Sequence, residues 1–149
     1  MTILSPDDVA AAARRNAPHV RRTPLVASPL PGLWMVLENE QVSGAVKARG
    51  AVCALTALSP QQRSRGVVTH SSGNHGLALA RAAAALSCPA TVVVPRNAAP
   101  HKVAAVRQAG ARVVVVPPEQ RAARAAAFVA DGLALVPPFD HDDVIAGQG

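Results

Sequence analysis

Gly66-Val67-Val68-Thr69-His70-Ser71-Ser72-Gly73-Asn74-His75-Gly76 is the stretch that decides how this chain is built. Three β-branched residues in a row read as a strand, and the small polar cluster behind them reads as a sharp turn that opens a helix. An alanine-rich helix is expected from Asn74 to Leu86. The alternation then repeats. Strands are expected at Ala90-Thr91-Val92-Val93-Val94, Arg112-Val113-Val114-Val115-Val116 and Leu133-Ala134-Leu135-Val136. Between them lie helices from Pro100 to Gln108, with Gly110 as its stop, and from Pro118 to Ala130, ended by Asp131-Gly132. The strand runs are continuously apolar rather than alternating, as in strands covered on both sides. The pattern predicts an α/β fold, a parallel sheet with helices on both faces, over residues 66–137.

Upstream the pattern is less regular. Ser5-Pro6-Asp7-Asp8 has Ser as N-cap, Pro at the first helical position and acids in the first turn, so a helix runs from there to about Asn16 and is closed by Pro18. Pro24, Pro29 and Pro31 punctuate a short extended stretch around Leu25-Val26. Leu33-Trp34-Met35-Val36-Leu37 reads as a buried strand leading into polar Glu38-Asn39-Glu40-Gln41. A second helix is expected from near Val46 through Leu58, stopped by Ser59-Pro60.

The chain has 149 residues, a length for one domain or for one domain plus part of another. Half of its residues are hydrophobic but only 2% are aromatic, so its core must be made of Val, Leu and Ala. No apolar run approaches the roughly 18 residues that span a bilayer. Met1-Thr2-Ile3-Leu4-Ser5-Pro6 lacks a basic region followed by an apolar stretch, so no secretory leader is expected. The net charge of +6 raises nucleic acid as a partner. The arginines are scattered, however, there is no Tyr, and Trp34, Phe128 and Phe139 are not interleaved with basic residues as a base-stacking platform requires. Neither nucleic acid nor membrane is expected as a partner. Cys53 and Cys88 lack metal-ligand spacing and read as small buried hydrophobes, which fits a reducing, cytoplasmic compartment.

Among thirteen arginines the chain has two lysines, Lys47 and Lys102. Arg cannot lose its proton near neutral pH, whereas a lysine amine can, and only a free amine condenses with an aldehyde. Lys47 in Ser43-Gly44-Ala45-Val46-Lys47-Ala48-Arg49-Gly50 is therefore a candidate nucleophile, although without the surrounding motif a lone Lys there reads better as a surface residue in a loop. Lys102 follows Pro100 at a helix start, where a solvated Lys is unremarkable. Ser71-Ser72-Gly73-Asn74-His75-Gly76, between a strand and a helix, points unpaired backbone N–H groups at an anion such as a carboxylate or phosphate. The same stretch could be a plain turn capped by Ser72 or Asn74, and His75 a packing residue. An amine followed by an anion cradle suggests pyridoxal phosphate chemistry on an amino acid.

Glu38-Asn39 with Gln41 and Ser43 to Ala51 resembles the cofactor-lysine segment of the fold-type II pyridoxal phosphate enzymes, whose architecture is tryptophan synthase β-like. Val68 to Gly76 resembles their substrate-carboxylate loop, and Val93-Val94-Pro95, Pro100 to Ala111, Pro138-Phe139-Asp140 and Val144 to Gly149 are also similar. Lys-x-Arg-Gly with Ser-Ser-Gly-Asn-His-Gly looks like the threonine/serine dehydratase and serine racemase branch, and Pro138-Phe139-Asp140 leans toward threonine dehydratase. The resemblance implies that Lys47 holds the cofactor covalently and then removes the Cα proton. It places Ser72 on the opposite face of the cofactor, as the reprotonating group of racemases. Backbone N–H groups of Ser71, Ser72, Gly73, Asn74 and His75 would bind the substrate carboxylate, and Asn74 would also bond the phenolic oxygen of the cofactor ring. It further implies deamination of L-threonine or L-serine to a 2-keto acid, a possible homodimer, and a two-domain division. Residues 1–65 would begin a large domain, 66–143 would form a complete small domain, and 144–149 would return to the large one, left truncated. No glycine-rich run follows Gly76 to hold the cofactor's phosphate, so little or no dehydratase activity is expected of the 149-residue chain alone. Serine racemization, or a non-catalytic binding module, are the alternatives.

Overall fold

The computed structural model describes residues 4–149; Met1, Thr2 and Ile3, which open the stretch read above for a leader, lie outside the described residues. Helix α1 (Pro6–Asn16) starts as its sequence dictates. The Ser5 hydroxyl accepts from the Asp8 amide and the Asp8 carboxylate accepts from the Ser5 amide, closing a reciprocal capping box. Strands β1 (Leu25–Ala27) and β2 (Trp34–Val36) form an antiparallel hairpin that pairs Leu25 with Val36 and Ala27 with Trp34. This corrects the expectation of a buried strand at Leu33–Leu37. Trp34 is 62% exposed and Val36 59%, because no other described strand joins the hairpin into a larger sheet. Apolar content predicts the strand; it cannot tell what covers it.

Helix α2 (Lys47–Ala57) follows the expected bounds within a residue. The stop read at Ser59-Pro60 is also a start: α3 (Pro60–Arg65) opens with Ser59 as N-cap, Pro60 in its first turn and Gln62 completing a second capping box. The alternating region then unfolds as β3 (Val67–Thr69), α4 (Asn74–Ala85), β4 (Ala90–Pro95), α5 (Pro100–Gln108) and β5 (Arg112–Val116). A 3-10 turn at Pro118–Gln120, α6 (Arg121–Ala130), β6 (Ala134–Leu135) and α7 (Asp142–Gln148) complete it. The helix expected from Pro118 thus begins with a tighter turn, and α7 is a helix that the sequence pattern does not announce.

The four later strands are all parallel and lie in the order β5-β4-β3-β6. Chain order moves outward from β3 to β4 to β5, then jumps back across the sheet to β6 on the far side of β3. Right-handed crossovers place helices on opposite faces when the direction reverses. The core shows the result. Val92 and Val94 of β4 pack with Ala80 of α4 and Val106 of α5, whereas Val93 and Val68 face Ala125 and Phe128 of α6. The valine run of β4 is therefore buried on both sides, as read, whereas the run of β5, at the sheet edge, is only partly covered, with Val115 52% exposed.

A larger core joins this sheet to the upstream helices. Leu55 of α2, Val67 of β3, Leu79 of α4, Val136 just after β6 and Val144 of α7 are all fully buried together. Truncating Leu55 or Leu79 to Ala would cost about 2–5 kcal/mol. Helices α2 and α7 approach so closely that a Cβ on Gly147 would lie 2.5 Å from the Cys53 Cβ and 2.7 Å from the Arg49 carbonyl oxygen. Buried Asn16 ties α1 to both, its side-chain amide donating to the carbonyls of Arg49 and Gly147 at 3.0 and 3.3 Å. Cys53 and Cys88 are free and buried, and burial pushes both thiols above their ordinary pKa. Phe128 carries the guanidinium groups of Arg112 and Arg124 at 5.6 and 4.8 Å. It is only 8% exposed, so these pairs knit the surface and offer no ring for a base to stack on.

Candidate active site

In a parallel sheet the loops leaving the C-terminal ends of two adjacent strands part where the strand order reverses, and a crevice opens there. In this sheet that point lies between β3 and β6. The loop after β3 is His70 to Gly73, and the segment after β6 is Val136 to His141.

The first loop ends at Gly73, the N-cap of α4, which has extended φ and ψ of −101° and −151° and no side-chain cap. Capping by Ser72 or Asn74, the plain alternative, does not occur. The N–H groups of Asn74, His75 and Gly76 accordingly find no acceptor among the described residues. They are orphan donors at the positive end of a twelve-residue helix, a natural seat for an anion. Gly76 makes the turn possible: a Cβ there would sit 1.9 Å from the Ser71 carbonyl oxygen. Ser71, Ser72 and Gly73 are half-buried and Asn74 is exposed, and the side chains of Ser72 and Asn74 make no hydrogen bond within the described residues.

Lys47, at the first position of α2, reaches the segment that follows β6. Its Nζ donates to the Pro138 carbonyl oxygen at 2.9 Å. The ion pairs among the described residues are Arg15–Asp143 and Arg49–Glu38, so no carboxylate there holds the amine. Two residues before Pro138, the Val136 carbonyl oxygen accepts from His75 Nε2 at 3.0 Å. The chain's candidate amine and its anion-cradling turn are thus both fastened to one short segment, 136–138. His75 is 2% exposed; burial holds its pKa below the ordinary imidazole value, and the nearby charge of Lys47 pushes the same way. A neutral ring that donates from Nε2 leaves Nδ1 as an acceptor, and Nδ1 is buried with no partner among the described residues.

The residues around Lys47 are braced from behind. Arg49 grips Glu38 with two bonds, Nη2 to Oε1 at 2.6 Å and Nε to Oε2 at 3.0 Å, and reaches Thr23 and the Arg21 carbonyl as well. The Arg49 guanidinium holds the Glu38 carboxyl below its usual range. Gln41 is buried, accepting from the amides of Arg21 and Val42 and donating to the Arg21 carbonyl. Glu38, Gln41 and Arg49, which carried the resemblance only as letters, are the clamp that fixes the start of α2. An open cavity of about 650 Å³ lies elsewhere, among Asn16, Thr23, Val36, Arg49 and Gly147, and includes neither Lys47 nor the serine-rich turn.

An aldehyde cofactor and an amino-acid substrate each find one point of fit here. An amine without an acidic partner can be released from a carbonyl to take the aldehyde, and a row of orphan N–H donors suits the substrate's carboxylate. A family model described as "pyridoxal-phosphate dependent enzyme" matches residues 17–149. The chain belongs to that family. It is 40% identical, over all of its length and 48% of the other's, to L-threo-3-hydroxyaspartate ammonia-lyase of Saccharomyces cerevisiae. Among solved structures, maize serine racemase superposes with a TM-score of 0.93 at 35% identity, covering 99% of this chain and 47% of that one. The threonine deaminase of T.th. gives 0.87 at 40% identity, covering 97% and 48%. These likenesses confirm the fold-type II architecture. The chain spans about half the length of the curated relatives it matches.

Residue reasoning finds Lys47 and the 71–76 turn; the roles assigned to Ser72 and Asn74 remain part of the reading proposed below. It misses Pro138 and Val136 as partners, since a backbone carbonyl leaves no mark on a sequence. It also weighs His75 without its side-chain bond, at which only the close succession of turn and helix hints.

Proposed function

We propose that this chain supplies the amine and carboxylate seat of an ammonia-lyase acting on β-hydroxy α-amino acids, L-threonine or L-serine. The observation that carries this is Lys47 Nζ held on Pro138, two residues from the Val136 carbonyl to which His75 of the serine-rich turn is fastened. Lys47 would hold pyridoxal phosphate and later take the Cα proton of the substrate. Ser72 would face the opposite side, and the N–H groups of the 71–75 turn would bind and orient the substrate carboxylate, with Asn74 also reaching the cofactor ring's oxygen. When bound, the cofactor supplies an electron sink for the pair left at Cα. Net, the amino acid loses its β-hydroxyl and amine and ends as a 2-keto acid plus ammonia. A homodimer belongs to this reading on family grounds, and light scattering decides it.

No glycine-rich run follows Gly76 to grip the phosphate, so turnover by the 149-residue chain itself should be low. Exchange of the Cα proton of L-serine and L-threonine in deuterated water tests the reading at a step that precedes keto-acid release. Exchange above the free-cofactor rate, abolished by Lys47→Ala, is expected. Equal exchange in wild type and Lys47→Ala would sink the reading. The likeness to maize serine racemase supports a second outcome, in which D-serine forms faster than pyruvate.

A further inference from the structure

β3 and β6 pair at Val67 and Val68, with bonds from the Ala134 amide to the Gly66 carbonyl and from the Val136 amide to the Val68 carbonyl. Beyond Val136 no backbone bond joins the two loops among the described residues, and the His75 side chain links them instead. His75 lies in the first turn of α4, yet its Nε2 is 3.0 Å from the carbonyl oxygen of Val136, the residue whose amide makes the last bond to β3. The ring is 2% exposed and its other nitrogen has no partner among the described residues, so it is neither a surface residue nor part of a wider network. Two residues on, Pro138 receives Lys47.

We propose that the His75 side chain, as distinct from its backbone N–H, is a positioning residue: a strap from the anion-binding turn to the segment that holds Lys47, which sets the distance between the two. This deepens the reading above and rests on it. A positioning strap needs a donor at the Nε2 place and nothing at Nδ1, which separates it from a ring that merely fills space. Gln can place an amide donor near Nε2. Asn places one near Nδ1, too short to reach Val136, and Phe fills the volume with no donor.

The chain's two lysines provide the measurement, with Lys102 as an internal control. Wild type, His75→Gln, His75→Asn and His75→Phe are incubated with pyridoxal phosphate, reduced with borohydride and mapped by mass spectrometry for labelling at Lys47 against Lys102. Circular dichroism reports the fold of each. Wild type should label Lys47 in preference, and Gln should keep that preference within about twofold. Asn and Phe should lose about tenfold of it, the equivalent of leaving one buried acceptor unsatisfied. Folded Asn and Phe variants that label like wild type would overturn the strap. Wild type labelling both lysines alike would instead overturn the cofactor reading itself. Side-chain nitrogen NMR of wild-type His75 needs no variant to fold: a neutral ring with its proton on Nε2 is expected, and a proton on Nδ1 would overturn the proposal.

Discussion

Lys47 Nζ stands 2.9 Å from the carbonyl oxygen of Pro138, a residue 91 positions further along the chain. The acceptor is a neutral carbonyl, not a carboxylate. A bond to a charged group has a net worth of about 1.5–3 kcal/mol, and the carbonyl left behind sits on a half-buried loop. Lys47→Met should therefore cost no more than about 3 kcal/mol while abolishing cofactor attachment. Thermal denaturation and cofactor titration on the same sample check both halves.

The clamp behind the amine should respond differently. Arg49→Lys keeps the charge but loses the two-pronged grip on Glu38, and should cost about 1–3 kcal/mol. Because the folded protein holds Glu38 below its ordinary pKa, the pair's contribution is whole above the unfolded value and is lost as pH falls through the folded one. Glu38→Gln should remove that part of the acid sensitivity. Urea unfolding from neutral pH down to pH ~3 shows whether the two curves converge.

His75 gives a second pH signature with the same sign. Burial holds its folded pKa below the ordinary imidazole value, so its share of stability is complete above that value and declines as pH falls toward the folded one. Lys47 and His70 are the charged and titratable neighbours that act on it. His75→Gln should flatten the stability curve below pH ~6.5, which denaturation at stepped pH will show.

Gly76→Ala should fail for steric reasons alone. The added carbon would meet the Ser71 carbonyl oxygen at 1.9 Å, and the turn must shift to admit it. A loss of at least about 1–3 kcal/mol, with weakened anion binding, is expected from calorimetry and cofactor titration. Trp34→Lys is the contrast. The ring is 62% exposed on the hairpin, so stability should move by no more than about 0.5 kcal/mol.

Local chemistry makes much of this molecule legible. Ser5-Pro6-Asp7-Asp8 and the valine runs announce their elements because caps and burial on both faces act over a few residues. Ser59-Pro60-Gln61-Gln62 carries an equally plain start signal, hidden behind its other role as the stop of α2. The hairpin's exposure is not legible, since apolar residues at 34–36 say nothing about their covering. The site divides along the same line. Lys47 and the 71–76 turn stand out by residue type, whereas Val136 and Pro138 act through main-chain oxygens that any residue would supply.

The account stands on Lys47 being the amine that takes the aldehyde. Visible absorbance of lysine-bound pyridoxal phosphate, recorded for wild type, Lys47→Ala and Lys102→Ala, tests it most directly. The absorbance should persist in Lys102→Ala and vanish in Lys47→Ala. Persistence in Lys47→Ala, or its loss with Lys102, would contradict it.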